Sequence, residues 1–242
     1  MTNIIYAESV PKAIPSMYPL SRLSGCMLNC DMQESGSKII DHSGMGNHGA
    51  YSGSVIQTGY AGFVRYFDGT DDEATFGNVA ALKPQSLSIL MWVNPNATQK
   101  SLANIISCHS LTSGYALQRK NLGGANEYNF LYLTTAEALQ IDTTNTLSLT
   151  ASVWQQVVIT LSAATASTVR YYLNGVAIAS QPTGYAGAVG YDTTALRIGD
   201  WVSGGRDWGG VVGLTQIYNL ILRAAEVKEL YRRDAWRCGL AA

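Results

Sequence analysis

The sequence predicts an all-β protein, built as a sandwich of two antiparallel sheets with one short C-terminal helix and an extended N-terminal arm. Clusters of Gly, Asn, Asp, Ser and Thr interrupt the chain about every 8 to 12 residues, as in sandwich folds. Between them, apolar residues alternate at period two instead of recurring at the helical period. With 242 residues, 47% of them hydrophobic, the chain is long enough to enclose one sizeable core.

Residues 1–24 are predicted to form the extended arm. Pro11, Pro15 and Pro19 lie here, half of the six prolines of the chain. Proline fixes φ and removes a backbone donor, so the arm is unsuited to join a sheet. Its apolar side chains need another surface to bury against. We therefore expect the arm to anchor the protein to a neighbouring subunit.

Residues 25–222 are predicted to form the sandwich. Apolar residues alternate in Leu87–Val93, in Val157–Leu161 and in Val169–Leu173, which places one row of each strand on an inward face. Asn174 and Gly175 separate two strand-like segments and predict a two-residue hairpin turn, since both turn positions require positive φ.

Residues 223–242 are predicted to form a helix and tail. The helix is expected from about Arg223 to Arg233, where Val227, Leu230 and Tyr231 make an apolar stripe at helical spacing. The helix is the only one that the sequence predicts.

Composition excludes several classes of protein. The chain has 16 Lys and Arg against 17 Asp and Glu, a net charge of −1, so a nucleic-acid partner held by a basic surface is not expected. No apolar run reaches the length of a membrane span, and no secretory leader is expected at Met1. The four cysteines lack Cys-x-x-Cys spacing and the three histidines lack ligand spacing, so we predict reduced thiols, no metal site and no cofactor.

Seven stretches carry a family resemblance by their order and spacing. They are Asp41–Gly49, Tyr66–Asp72, Ser88–Pro95, Trp154–Val158, Tyr172–Val176, Leu196–Gly199 and Ile217–Asn219. Together they resemble the laminin G-like jelly roll of the concanavalin A-like lectin/glucanase superfamily, as found in tailed-phage virion proteins. The resemblance covers about Gly25 to Tyr231. It implies a two-sheet jelly roll of a dozen or more antiparallel strands.

The sequence departs from the family pattern at a calcium site. Gly213 and Leu214 stand where the family usually has an acidic pair before its Ile-Tyr motif. Four other aspartates could still supply oxygen ligands to calcium: Asp41, Asp68, Asp71 and Asp72. The acidic stretch from Asp68 to Asp72 is equally typical of a turn in which short carboxylates bond nearby amides.

Catalysis is not predicted. The glucanase branch uses a strand bearing Glu-x-Asp-x-x-Glu, because retaining hydrolysis needs two carboxyls about 5 Å apart. Here Asp71, Asp72 and Glu73 are consecutive, so neighbouring side chains of a strand would point to opposite faces. No Ser/His/Asp arrangement can be assembled either. Trp92 and Trp154 lie in motifs that resemble the core strands of the family and are assigned to packing.

A candidate ligand-binding site lies in a Gly-rich loop. It consists of Trp201, Arg206, Asp207 and Trp208. An indole stacks on the apolar face of a sugar, while neighbouring Arg and Asp bond its hydroxyls. Alternatively, either tryptophan could plug the end of the sandwich.

Two functions follow as hypotheses. The first is a non-enzymatic structural virion protein of a tailed bacteriophage, a capsid decoration or fibre component. It would be located in the virion, present in multiple copies or as a homo-oligomer, and anchored by its arm to capsid or tail proteins. The alternative is a carbohydrate-binding adhesion module that uses the Trp201 loop to bind a cell-surface glycan.

Overall fold

Two antiparallel sheets form the protein, as predicted from the sequence. The computed structural model describes residues 25–59, 62–121, 126–162 and 168–241. The predicted arm, residues 1–24, lies outside the described residues. The strands are β1 Cys26–Cys30, β2 Lys38–Ile39, β3 Gly49–Ser52, β4 Val55–Gly59, β5 Gly62–Asp68, β6 Glu73–Thr75, β7 Ser86–Pro95, β8 Asn104–His109, β9 Gly114–Arg119, β10 Glu127–Leu133, β11 Leu139–Ile141, β12 Leu147–Ser148, β13 Gln155–Ser162, β14 Thr168–Leu173, β15 Val176–Ala177, β16 Arg197–Ile198 and β17 Gly209–Tyr218.

The strands divide into an eight-stranded and a nine-stranded sheet. The first sheet has the order β15-β14-β13-β7-β17-β5-β4, and β1 also pairs with β17. The second has the order β11-β10-β9-β8-β16-β6-β3-β2, and β12 also pairs with β10. The hairpin between β14 and β15 turns at Asn174 and Gly175, whose φ angles are 50° and 79°. This confirms the turn predicted from the Asn-Gly pair.

The main core lies between the two sheets. Alternate residues of β7 and β13 point into it, because successive side chains of a strand point to opposite faces. Its largest fully buried side chains include Phe67, Tyr115, Phe130, Tyr171 and Trp208. Burying a side chain of this size stabilises the fold by roughly 1.5 to 3 kcal/mol relative to leaving it exposed.

The C-terminal helix packs on the outer face of the first sheet. Helix α1 spans Ala224–Asp234. Val227 is fully buried against a second apolar cluster, which also contains Trp92 and the half-buried Trp154. The rings of Trp92 and Tyr231 stack with centroids 5.6 Å apart. None of the helices in the described ranges is long and apolar enough to cross a membrane.

The second sheet and one connecting loop position the candidate site. Arg197 on β16 lies between Leu196 and Ile198, which are both buried in the core, so it points to the outer face. Glu73 on β6 points the same way, because the next residue, Ala74, is in the core. The loop 199–208 then carries the chain from β16 in the second sheet to β17 in the first.

Candidate functional site

Backbone and side-chain hydrogen bonds hold the loop 199–208 at both ends. The Trp208 N–H donates to Gly199 O at 2.7 Å, and the Asn104 N–H donates to Arg206 O at 2.8 Å. Within the loop, the Arg206 N–H donates to Asp200 Oδ1 at 3.1 Å. Gly204 and Gly205 have φ of +71° and +81°, a region that favours glycine. The loop is therefore fixed to β8 and to its own first residues.

An open cleft of about 430 Å³ lies beside this loop. The outer face of β6 and β16 contributes one side, and the turn at Thr70 and Asp71 contributes another. Trp201 adds an aromatic ring to the lining. The charged lining residues are Asp71, Glu73, Lys100, Arg197, Asp200 and Asp207. Four of these six are acidic, so the cleft carries more negative than positive charge.

Two ion pairs connect the charged lining residues. Lys100 Nζ lies 2.5 Å from Asp207 Oδ2, and Arg197 Nε lies 2.9 Å from Glu73 Oε2. Asp207 is only 3% exposed, and the Lys100 ammonium therefore compensates a carboxylate that water hardly reaches. Each cation of the lining is thus already engaged with a carboxylate.

The other two carboxylates have no cation of the lining as a partner. Asp71 is exposed and makes no ion pair within the described ranges. Asp200 is buried, and its Oδ1 accepts the backbone bond from Arg206. Burial raises the pKa of Asp200 above its ordinary value, and repulsion from Asp207 and Glu73 adds to the effect.

The Trp201 ring is half-buried and contacts two cationic or titratable side chains. The Arg206 guanidinium carbon lies 3.9 Å from the centroid of the ring, a cation–π contact. The His109 ring lies 6.1 Å away at an interplanar angle of 35°. Burial lowers the pKa of His109 to about 4, and repulsion from Arg206 acts in the same direction. The imidazole is therefore neutral at physiological pH.

Two hydrogen-bond donors beside the cleft are buried without a partner among the described residues. They are Arg197 Nη1 and Trp201 Nε1. A buried donor left unpaired costs about 1 to 3 kcal/mol, so such groups are uncommon in folded proteins.

The structure brings together only part of the predicted site. Trp201 and Asp207 line the cleft, whereas Arg206 stacks on Trp201 and does not line it. Trp208 does not belong to the site. It is fully buried between the sheets, and its Nε1–H donates to the Tyr128 hydroxyl at 2.9 Å. Its ring has no face available to a sugar, which agrees with the alternative that it plugs the sandwich.

Sequence reasoning missed most of the charged lining. Glu73, Lys100 and the neighbouring residues Arg197 and Asp200 come from three segments far apart in the chain, and no local spacing connects these segments. Asp71 belongs to the Asp-Gly-Thr-Asp-Asp stretch, so it was noticed, but as a turn or calcium residue. The pairing of β6 with β16, which joins Glu73 to Arg197, carries no signal in either segment alone.

The aspartates considered for calcium are held largely by their own turns. Carboxylate oxygens of Asp68, Asp71 and Asp72 lie within 4.8 Å of one another. The Asp68 N–H donates to Asp72 Oδ2 at 2.7 Å, and the Thr70 N–H donates to Asp68 Oδ1 at 2.7 Å. Asp41 belongs to another loop, where burial raises its pKa but three backbone N–H groups and the Ser43 hydroxyl donate to the carboxylate and lower the pKa on balance. These bonds account for Asp41, Asp68 and Asp72 as turn residues, whereas the Asp71 carboxylate makes none of them.

The comparison with protein families identifies the fold family. Residues 68–228, more than half of the chain, match the concanavalin A-like lectin/glucanases superfamily. The chain belongs to this superfamily. The resemblance seen in the sequence is thereby confirmed. A search of curated proteins finds no match to the sequence.

Several solved structures share this fold. The binding domain of Paraclostridial Mosquitocidal Protein 1 is 12% identical, with a TM-score of 0.67 over 87% of this chain and 52% of that one. Domain 4 of AbnA, a GH43 extracellular arabinanase from Geobacillus stearothermophilus solved in complex with arabinotriose, is 13% identical, with a TM-score of 0.66 over 85% and 98%. The binding domain of botulinum neurotoxin DC in complex with SialylT is 14% identical, with a TM-score of 0.63 over 87% and 52%. The chain thus spans about half of each toxin binding domain, and at these identities the likeness establishes the fold alone.

Proposed function

We propose that the protein is a carbohydrate-binding module whose ligand occupies the cleft beside Trp201. The observation that carries the proposal is the composition of this cleft. Acceptors and donors converge on one open space of about 430 Å³, a volume typical of small-ligand sites. A sugar hydroxyl both donates and accepts, so it matches a lining of this mixed kind.

Each part of the lining has a role in this proposal. Asp71 and Asp200 accept hydrogen bonds from hydroxyls, while Arg197 and Lys100 donate to oxygens of the ligand. Trp201 supplies an apolar surface for the C–H groups of the sugar ring. Arg206 lies against the indole and holds it in place, because its guanidinium is 3.9 Å from the ring centroid.

The known relatives of the fold favour the same class of function. AbnA domain 4 was solved with arabinotriose, and the neurotoxin DC binding domain with SialylT. Those ligands belong to those proteins. AbnA domain 4 supports the present proposal, because a domain matched over 98% of its length was solved with a saccharide, whereas the match to the neurotoxin covers only 52% of that chain and does not place its ligand on this fold.

A binding role fits the cleft better than hydrolysis. Glu73 and Asp207 are each held by a cation, at 2.9 Å and 2.5 Å. A glycosidase needs two carboxyls that face its substrate, whereas both of these carboxylates are engaged by cations of the protein itself. We therefore propose a module without catalytic activity.

We further propose that the module is displayed on a tailed-phage particle, with residues 1–24 as its anchor to capsid or tail subunits. The support comes from the three prolines and the apolar content of that arm, and from the sequence resemblance. Finding the chain in stoichiometric amounts in purified particles would support this location. Its absence from particles would contradict the location and leave the glycan proposal unaffected.

A glycan array followed by calorimetry tests the binding proposal. Trp201→Ala is expected to weaken binding of the selected glycan at least tenfold, because it removes the aromatic surface and the contact with Arg206. Trp236→Ala is the matched control, since Trp236 is 56% exposed and follows the helix on the opposite side of the sandwich. Failure of every glycan to bind, or equal loss in both variants, would contradict the proposal.

A further inference from the structure

We infer that the cleft selects a saccharide carrying a free, protonated amino group, with Asp71 as the specificity-determining residue. The inference rests on the proposed function and goes on to name the class of sugar. Its basis is the set of carboxylates in and beside the cleft that form no ion pair with a cation of the protein.

The cations of the lining are already engaged. Arg197 bonds Glu73 through Nε, and Lys100 bonds both Asp207 and the carbonyl of Thr70, at 3.2 Å. Their remaining N–H groups suit a neutral hydroxyl oxygen, whereas a carboxylated or phosphorylated sugar would compete with Glu73 and Asp207 for these cations. Breaking such a pair would leave a partly buried carboxylate uncompensated, which is costly.

The carboxylates of the lining are in excess. Asp71 has no cationic partner within the described ranges. Asp200 accepts backbone hydrogen bonds from Trp201 and Arg206 and is attracted by the Arg206 guanidinium, but it forms no ion pair with a cation of the lining. Asp68 and Asp72 lie beside Asp71, with carboxylate oxygens within 4.8 Å. The pKa of Asp72 is raised by burial, and repulsion from Asp68 and Asp71 adds to this. The turn at Asp71 thus carries three carboxylates against the single ammonium of Lys100 at Thr70, which leaves net negative charge beside the cleft.

A protonated amine fits this region better than a hydroxyl. An ammonium group offers three donors and one positive charge, whereas a hydroxyl offers one donor and no charge. Charge-assisted hydrogen bonds are roughly twice as strong as neutral ones. Asp71 is accessible at the rim of the cleft, so the amine reaches it without displacing a protein bond.

Calorimetry with chito-oligosaccharides of equal length, fully deacetylated or fully N-acetylated, tests the inference. The two ligands share their rings and hydroxyls and differ in the charge of the nitrogen. With protein treated with chelator, at a pH where the amine is protonated, the deacetylated ligand is expected to bind about tenfold more tightly. Asp71→Asn is expected to remove most of this preference. Glu137→Gln, which removes an exposed carboxylate on the turn between β10 and β11, is the matched control and should retain it.

A measurement without substitution keeps the inference falsifiable if Asp71→Asn fails to fold. Raising the pH until the amine is neutral should abolish the preference and leave binding of the N-acetylated ligand unchanged. Equal or tighter binding of the N-acetylated ligand would overturn the amine selectivity while the glycan proposal stands. Binding that requires added Ca²⁺ would also overturn it, in favour of a cation at the three aspartates. Failure of both these ligands and every array glycan to bind would overturn the proposed function itself.

Discussion

His109 is predicted to make the protein less stable as the pH falls below neutrality. Its side chain is buried beside Trp201, and its Nδ1 has no hydrogen-bond partner among the described residues. Burial lowers the pKa of this histidine to about 4, from an ordinary value of 6.5. Between these two values the unfolded chain binds a proton at the imidazole and the folded chain does not. Stability is therefore lost as the pH drops through this window.

The size of this loss of stability follows from the shift in the pKa of His109. One pKa unit corresponds to about 1.4 kcal/mol. At about pH 4.5, His109 is protonated in nearly all unfolded chains and in only a minority of folded ones. The free energy of unfolding should therefore be about 2 to 3 kcal/mol lower at this pH than at pH 7 from this residue alone. That is a large share of the roughly 5 to 15 kcal/mol that stabilises a typical domain.

Denaturant unfolding of the wild type and of His109→Gln at the two pH values measures the effect. The glutamine keeps a polar side chain of similar length and does not titrate. Carboxylates such as Asp142, whose pKa is lowered to about 2 by hydrogen bonds that outweigh burial, contribute equally in both proteins and cancel in the comparison. The wild type should lose about 2 to 3 kcal/mol more than the variant. Equal losses would refute the buried, neutral histidine.

Three further predictions concern the core, the thiols and the arm. Trp208→Ala should lower the free energy of unfolding by about 3 to 5 kcal/mol in denaturant titrations, because it empties a large buried site, and a change under 1 kcal/mol would contradict the burial of this ring. The cysteines should react slowly with a thiol reagent in the native protein and completely after denaturation. Burial raises the pKa of Cys26, Cys108 and Cys238 to about 12, so little reactive thiolate forms in the folded state. A count of fewer than four thiols after denaturation without reductant would indicate disulfides. If residues 1–24 anchor the protein to phage particles as proposed, deleting residues 1–20 should abolish incorporation into particles and leave the thermal unfolding midpoint nearly unchanged, whereas failure of the truncated chain to fold would assign the arm to the core.

The strands could be predicted because their signal is local. Leu87–Val93 alternates at period two and lies within β7, Ser86–Pro95, with the predicted row in the core. The Asn174–Gly175 turn follows from the φ angles that a two-residue hairpin requires. Pairing between distant segments, such as β16 with β6 and β8, depends on the whole core and has no comparable local signature.

The position of the helix was not predictable from its stripe alone. The apolar stripe indicates that one face of the helix is buried, but it does not show which surface of the protein this face packs against. The position of Trp92 indicates that surface. Trp92 alternates with Met91 and Val93, which lie in the main core, so its side chain points to the opposite face of the sheet. An outward tryptophan in a central strand indicates a covering element, and Tyr231 of α1 stacks on it.

The same alternation explains why the structure brings together only part of the predicted ligand site. Asp207 and Trp208 are adjacent where the chain becomes extended, so their side chains point in opposite directions. Trp208 is anchored in the core by its bond to Tyr128, and this anchor fixes Asp207 against Lys100 at the floor of the cleft. The buried ring therefore contributes to the site through position and not through contact with a ligand. A binding loop gains from such an anchor, because charged groups held in place by the scaffold lose little entropy when a ligand arrives.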